Sequence, residues 1–206
     1  FGDVVLLLDG SSASTDASGT ATVSNYGTAV SQIAGPYGST QDVLDFNNAD
    51  EDRIELSNLD LDGGDWTMEC YAKFDLTTQF TGPFCTNRDE VDSVSTNDTG
   101  EFDFHIRTPS GDTPKISFFM IDNGGGGNIT LTNDTEITTT GWHHLAVSFV
   151  RSTNTAYLGV DGTVVSQSNA RYRELHLGGN NELQLGRNRG NANFFDGKLA
   201  DVRFTK

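Results

Sequence analysis

The chain has 206 residues, a formal net charge of −16, and a composition that is 35% hydrophobic and 10% aromatic. This apolar content is sufficient for one buried core, which excludes the low-hydrophobicity class of disordered proteins. The negative charge disfavours nucleic acid and anionic membranes as partners, because both present negatively charged groups. No run approaches the ~20 apolar residues of a membrane-spanning helix, so no membrane insertion is expected.

Apolar and polar residues alternate along the chain with the period of two that half-buried antiparallel strands show. In chain order, strands are predicted at 4–9, 43–46, 53–56, 66–74, 102–106, 115–120, 128–131, 143–149, 155–160, 163–166, 182–186 and 200–204. No window of roughly 11 or more residues has a 3.6-residue apolar period, so any helix is expected to be a single turn.

Turn signals separate these strands. Asp161-Gly162 lies between two alternating runs and predicts a type I′ hairpin turn, because both central residues of that turn need a positive φ. Residues 87–100 and the glycine-rich residues 122–128 are predicted to form exposed loops. We find no internal repeat and no linker, so residues 1–206 are predicted to form one all-β domain. Because the chain begins at Phe1 rather than Met, we expect it to be a processed product or part of a longer polypeptide.

Five short motifs carry a likeness to a known family. They are Val4–Leu8, Trp66–Phe74, Gly141–Phe149 with the following 154–162, Leu183–Gly186, and 195–203. In this order they resemble the strands of concanavalin A-like (laminin G-like) lectin and glucanase domains. The resemblance implies a two-sheet antiparallel jelly-roll sandwich. The amino-acid sequences of the first and last motifs are most similar to those of such domains in bacteriophage tail fibres and capsid-attached proteins. One departure is Cys70, which stands near a position where the family usually has Trp.

The chain has only part of the set of carboxylates that glycoside hydrolysis requires. Glycoside hydrolases on this scaffold carry E-x-D-x-x-E on one strand face, because two carboxylates must flank the scissile bond. Glu101, Asp103 and His105 share a face, but Ile106 stands where the second glutamate would be. We therefore expect no enzymatic activity and no catalytic residues. A glycan-cleaving enzyme is kept as an alternative.

The resemblance also implies a structural Ca²⁺ ion, held where an early D-x-S-G turn meets the aspartate of the closing strand. Asp16 and Asp201 are the matching residues, and Ca²⁺ takes ~6–8 oxygen ligands. The alternative is that Asp16 is an ordinary turn residue and Asp201 pairs with an arginine. The adjacent His143 and His144 point to opposite faces of a strand, so they cannot bind one metal together. The acidic residues within 45–52 are expected to solubilise a loop.

The two cysteines, Cys70 and Cys85, are placed by an assumed hairpin. If residue 74 pairs with residue 81, Cys70 lies opposite Cys85 and both face the core. Two free buried thiols are favoured, with a cross-strand disulfide as the alternative.

Ligand contacts are expected on loops at one rim of the sandwich. The candidates are Arg171, Tyr172, Arg187, Arg189 and Phe194. Planar donors and rings in a region rich in Asn and Gly suit sugar hydroxyls or a neighbouring protein subunit. The alternative is that these arginines neutralise the acidic surface.

The functional hypothesis is a non-catalytic binding or structural module of a phage virion, in a tail fibre, spike or capsid decoration protein. Its partner would be a glycan or another virion protein, and its location the virion surface or the extracellular space. By analogy with fibre and decoration proteins, a homo-oligomer, specifically a trimer, is expected. The alternatives are a secreted or surface polysaccharide-binding adhesion module and a glycoside hydrolase.

Overall fold

The computed structural model of the chain describes residues 3–57, 64–75, 83–86, 102–107, 114–120, 129–168, 183–187 and 194–206. These residues form strands β1 (Val4–Leu8), β2 (Thr22–Tyr26), β3 (Ala29–Ala34), β4 (Thr40–Phe46), β5 (Arg53–Ser57), β6 (Trp66–Phe74), β7 (Pro83–Thr86), β8 (Phe102–Arg107), β9 (Lys115–Met120), β10 (Ile129–Asn133), β11 (His143–Val150), β12 (Thr155–Val160), β13 (Thr163–Ser168), β14 (Leu183–Leu185) and β15 (Gly197–Thr205). Their helical content is two single-turn 3₁₀ segments, Asn48–Asp50 and Arg151–Thr153. None of the described residues form a helix of the length and apolarity that a membrane crossing requires.

The strands form two antiparallel sheets. The larger sheet has eight strands in the order β13-β12-β11-β6-β15-β4-β3, with β1 also pairing with β15. The smaller sheet has seven strands in the order β10-β9-β8-β7-β14-β5-β2. The predicted all-β, two-sheet antiparallel jelly-roll sandwich is therefore confirmed.

The core lies between the inner faces of the two sheets. Along β6, from Trp66 to Phe74, the even-numbered residues are buried and the odd-numbered residues are half-buried. The Trp66 ring centroid lies 6.1 Å from that of Phe118 on β9, which belongs to the opposite sheet. It also lies 6.2 Å from Phe149 on the neighbouring strand β11. Burying each such side chain contributes about 1.5–3 kcal/mol, so this aromatic layer joins the sheets.

The predicted hairpin that placed Cys70 opposite Cys85 is wrong. Strand β6 pairs with β11 and β15 in the larger sheet, whereas β7 pairs with β8 and β14 in the smaller sheet. The two cysteines therefore come from facing sheets, where both are buried thiols outside any disulfide and line one small cavity between the layers. Burial raises the pKa of the Cys70 thiol, which disfavours the reactive thiolate.

Strands β2, β3 and β7 are additional to those predicted. Of these, β2 and β3 each lie at an edge of their sheet, and most of their residues are exposed. An edge strand that is exposed on both faces has no buried side on which apolar residues must recur, so its sequence lacks the alternating pattern. The predicted loops at 87–100 and 122–128 lie outside the described residues.

The Asp161-Gly162 turn has the predicted geometry and also anchors a buried histidine. Both residues have positive φ, 49° and 82°. The Asp161 Oδ2 atom lies 2.6 Å from Nδ1 of His143, and Oδ1 accepts a hydrogen bond of 2.8 Å from the backbone N–H of His144. The His143 residue is only 7% exposed, and its Nε2 lies 3.2 Å from the backbone of Thr138. One carboxylate therefore fixes the hairpin end and satisfies a buried ring.

We predict that Asp161→Asn lowers the free energy of unfolding by about 1–3 kcal/mol, measured by urea denaturation. Asn is accepted in this turn but has one acceptor oxygen, so its amide N–H serves His143 only by donating to Nδ1, and the tautomer this requires loses the hydrogen bond from the Thr138 N–H to Nε2. The matched control is Asp134→Asn, since the Asp134 side chain is 86% exposed and pairs with Lys115 at the surface. Equal stability of the two variants would contradict the anchoring role.

Candidate functional site

A depression of about 420 Å³ lies on the solvent-facing side of the larger sheet. We call it the outer-face pocket, and its polar and aromatic lining consists of Tyr37, Glu69, Tyr71, His144, Asp201 and Arg203. These residues come from a turn and three neighbouring strands, so the pocket is built by the sheet rather than by one local motif.

Strand pairing places four of these side chains together. Glu69 and Tyr71 are two residues apart on β6 and share its outer face. His144 on β11 is the direct cross-strand partner of Tyr71, and Arg203 on β15 is the direct partner of Glu69. The His144 and Tyr71 rings lie 4.9 Å apart between centroids. The pairing of three neighbouring strands therefore assembles two rings and two charges into one patch.

The fifth side chain, Tyr37, is held over this patch by the turn between β3 and β4. In that turn the Gly38 N–H donates to the Gly35 carbonyl at 3.1 Å, and Gly38 has a φ of +77°, which a glycine adopts without strain. The centroids of the Tyr37 and Tyr71 rings lie 5.4 Å apart, and the angle between the ring planes is 73°. Tyr37 is 63% exposed. The turn therefore presents an aromatic surface to solvent instead of burying it.

The sixth side chain, Asp201, enters through an irregularity in β15. The register of β15 against β6 shifts between Ala200 and Arg203, and Asp201 has a φ of 49°. A bulge of this kind redirects a side chain, and the left-handed conformation of a non-glycine residue costs energy that the surroundings must offset. Here the Asp201 Oδ2 atom accepts a hydrogen bond of 2.8 Å from the Tyr37 hydroxyl.

The Tyr37–Asp201 hydrogen bond fixes the protonation of the phenol. It is the largest influence on the pKa of Tyr37, which it raises together with burial and the Asp201 charge. The hydroxyl therefore stays a donor over the whole physiological pH range.

Glu69 is engaged on both oxygens. Its Oε1 accepts hydrogen bonds from Nη2 and from Nε of Arg203, the latter at 2.6 Å. Its Oε2 lies 3.4 Å from Nε2 of His144. The guanidinium and the imidazole are therefore held in place by one carboxylate.

The structure corrects part of the predicted ligand-binding set. Arg187 and Phe194 are each 4% exposed, so they are buried and do not form an exposed binding rim. The Arg187 Nη1 atom lies 3.6 Å from Oε1 of Glu55, a residue distant in sequence. Arg171, Tyr172 and Arg189 lie outside the described residues and stay predictions.

The Asp16 carboxylate does not fit the predicted calcium site. It is 6% exposed, and it accepts five hydrogen bonds of 2.7–2.9 Å from four backbone N–H groups and one hydroxyl; the donors are Leu7, Ser18, Thr20 and Ala21. Burial opposes its ionisation, but the hydrogen bonds from Ala21, Leu7 and Ser18 outweigh this and lower the pKa of Asp16. Donor hydrogens repel a cation, so Asp16 organises a turn.

Asp201, the second predicted calcium ligand, binds Tyr37 instead. Within the described ranges, no group of three or more His, Cys, Asp or Glu side chains has an arrangement that could hold a metal ion. That the chain binds Ca²⁺ stays a prediction.

The hydrolase-like trio is only partly described. Glu101 lies outside the described residues, and Asp103 is placed in β8 opposite Phe119 of β9. This pair belongs to the smaller sheet, whereas the outer-face pocket lies on the larger sheet.

A second concavity, of about 610 Å³, is acidic. Its aspartates are Asp45, Asp50, Asp52, Asp75 and Asp196. Lys198 Nζ lies 3.1 Å from Asp45 and 3.2 Å from Asp75, so one ammonium holds two carboxylates. Burial, followed by repulsion from Asp75, raises the pKa of Asp196, and burial is also the largest cause of a raised pKa at Asp52.

The comparisons with known proteins agree with this architecture, which is that of a jelly-roll β-sandwich domain. A laminin G family model described as "Concanavalin A-like lectin/glucanases superfamily" matches residues 48–206. Because this is more than half of the chain, the protein belongs to that superfamily. A search of curated proteins finds no match.

Three solved structures illustrate the shared fold. Domain 4 of an extracellular arabinanase from Geobacillus stearothermophilus, in complex with arabinotriose, has a TM-score of 0.66 at 16% identity and covers 100% of this chain and 93% of its own. The enzymatically active domain of tailspike protein 2 from bacteriophage CBA120 has a TM-score of 0.59 at 14% identity, over 90% of this chain and 28% of its own. The binding domain of botulinum neurotoxin DC has a TM-score of 0.59 at 12% identity, over 98% of this chain and 47% of its own. This chain therefore spans less than half of the tailspike and toxin chains.

We predict that Asp196→Asn stabilises the protein at neutral pH. The folded-state pKa of Asp196 is raised, so ionisation costs stability as the pH rises from the unfolded-state pKa through the folded-state one. The variant lacks this loss and should gain about 0.5 kcal/mol at pH 7, a value kept small because the site is partly solvated. At pH 3 the gain should vanish. Urea midpoints at both pH values measure it, and a gain that persists at pH 3 would contradict the electrostatic cause.

Proposed function

We propose that the chain is a non-catalytic carbohydrate-binding module and that its binding surface is the outer-face pocket. The observation that carries this proposal is the convergence of Tyr37, Tyr71 and His144 rings beside the Asp201 and Glu69 carboxylates. The C–H face of a sugar ring is apolar and packs on an aromatic ring, while its hydroxyl groups need fixed polar partners. A shallow surface that offers both satisfies a sugar better than it satisfies a purely apolar or purely ionic ligand.

The comparisons support this proposal. The superfamily description names lectins, and the arabinanase domain was solved with arabinotriose. The toxin binding domain was solved in complex with a ligand given as SialylT. At 12–16% identity these structures share the fold with this chain, so the pocket itself carries the argument for the ligand.

The arrangement of carboxylates supports binding rather than hydrolysis. Glycoside hydrolysis needs one carboxyl group to protonate the leaving oxygen and another to attack or to activate water. Both oxygens of Glu69 are engaged by Arg203 and His144, and one oxygen of Asp201 is engaged by Tyr37. These carboxylates position the side chains around them.

We further propose that the module acts outside the cell, on a virion surface or in a secreted or cell-surface protein. The motif resemblance to phage fibre and capsid-attached domains and the fold shared with a tailspike support a fibre, spike or capsid decoration protein. A neighbouring virion protein, in a trimeric assembly, is the other partner that this setting favours. The genes adjacent to the coding sequence would separate a phage from a bacterial adhesion origin.

We predict that Tyr71→Ala and Tyr37→Ala each weaken glycan binding by about five- to tenfold, since an aromatic contact contributes about 1–1.5 kcal/mol. A glycan array identifies the ligand, and calorimetry measures each dissociation constant. The matched control is Tyr26→Ala, because Tyr26 is an exposed tyrosine on the smaller sheet, 43% accessible. Loss of binding in the Tyr26 variant but not in the Tyr71 variant would place the site elsewhere.

We also predict that the protein releases no reducing sugar from laminarin or agar-type polysaccharides during prolonged incubation. Release that disappears in the Glu101→Gln variant would establish a glycan-cleaving enzyme and overturn the non-catalytic proposal. Release that persists in this variant would indicate a contaminating hydrolase, which a repeat with independently purified protein identifies.

A further inference from the structure

We propose that the outer-face pocket selects uncharged glycans and rejects glycans that carry a carboxylate, such as sialylated or uronic-acid chains. This inference rests on the proposed function and names the class of ligand that the same site accepts. It depends on which charges of the pocket are already neutralised by each other and which are left for a ligand.

The cationic side of the pocket is already engaged. Among the described residues that line it, Arg203 is the permanently charged cation, and its Nε and Nη2 atoms both donate to Oε1 of Glu69. The Nε2 atom of His144 lies beside the other oxygen of the same carboxylate. The Nη1 group of Arg203 is still able to donate, but a ligand carboxylate there would share the charge of Arg203 with Glu69 instead of meeting an unpaired cation.

The anionic side of the pocket is not balanced. Asp201 receives a hydrogen bond from the neutral hydroxyl of Tyr37 rather than from a cation. Among the described lining side chains with a permanent charge, two carboxylates face one guanidinium. A carboxylate on the ligand would meet the unpaired charge of Asp201 at short range, and the chain's net charge of −16 would add a longer-range repulsion that salt screens.

The same groups suit a neutral sugar. The Oδ2 atom of Asp201 accepts from Tyr37, and Oδ1 has no hydrogen-bond partner among the described residues, so it accepts from a ligand hydroxyl. Hydrogen bonds to an ionised acceptor are stronger than those between neutral groups. The Tyr37 and Tyr71 rings meet edge to face and leave Tyr37 63% exposed for the sugar C–H surface. The pocket therefore satisfies hydroxyl donors, and none of its described side chains offers an unpaired permanent cation to an anion.

The test compares three forms of the same glycan on an array and by calorimetry. The probes are a neutral core oligosaccharide, its sialylated counterpart, and the sialylated counterpart with its carboxylate converted to the neutral amide. At about 0.05 M salt we expect the neutral core and the amide to bind at least tenfold more tightly than the carboxylate, and we expect the ratio to shrink at about 1 M salt. Because the amide has nearly the same size as the acid, it separates charge from steric exclusion.

Variants locate the cause. Asp201→Asn keeps an acceptor for Tyr37 and removes the unpaired charge, so the ratio between neutral and carboxylated forms should fall at least threefold. Asp134→Asn, at an exposed aspartate on the loop after β10, should leave the ratio unchanged. Tyr71→Ala should weaken the binding of every form.

The outcomes distinguish the two proposals. If no glycan of any charge binds, or if binding is insensitive to Tyr71→Ala, the proposed function fails. If glycans bind through Tyr71 but the carboxylated form binds as tightly as the neutral core, or if acid and amide are rejected equally, the selectivity for uncharged glycans is wrong while the binding function stands.

Discussion

The register of β6 within the larger sheet is the constraint on which the core and the outer-face pocket both depend. Its inward residues are buried at every second position from Trp66 to Phe74, and its outward residues Glu69 and Tyr71 form the centre of the pocket. A slip of one residue would exchange the two faces completely. Burial of the inner face is worth several kcal/mol, so the energy that folds the sandwich also fixes the position of the binding side chains.

Two departures from regular sheet geometry turn this flat patch into a pocket. The turn after β3 raises Tyr37 above the sheet, and the bulge in β15 directs Asp201 outwards to meet it. The contact between them restrains both, because Tyr37 is largely exposed and Asp201 has a left-handed conformation. Their hydrogen bond joins residues 164 positions apart in sequence. Tertiary contact therefore stabilises a local strain that sits at the ligand-facing surface, as is common at functional sites.

The sequence predicts the strands that bury one face, because their apolar and polar residues alternate. It does not predict strands that lack a buried face, because nothing imposes that alternation on them. Apolar and polar residues alternate strictly along strands such as β6 and β11. The two residues Asp161-Gly162 are sufficient to predict the turn that they form. The edge strands β2 and β3 lack a buried side and were not predicted, and the assumed hairpin between β6 and β7 was wrong because these strands enter different sheets. Arg187 is a residue type that often contacts ligands, but here it is buried and lies beside Glu55, which is distant in sequence. The pocket residues share no local sequence motif, since strand pairing brings them together. The alternation of apolar and polar residues along β6 does indicate that Glu69 and Tyr71 face away from the core.

The physical separation of core and pocket explains how one sandwich can serve different ligands. The side chains that join the sheets lie on inner faces, whereas those of the pocket are partly exposed, such as Arg203 with 47% of its side chain accessible. Changing an exposed side chain usually alters stability by no more than about 0.5 kcal/mol. The outer face can therefore vary in sequence while the alternating inner pattern is retained. Structures at 12–16% identity share this fold, and a fold retained at such distance cannot by itself name a ligand. For this chain, the charges and rings on the outer face of the larger sheet must do so.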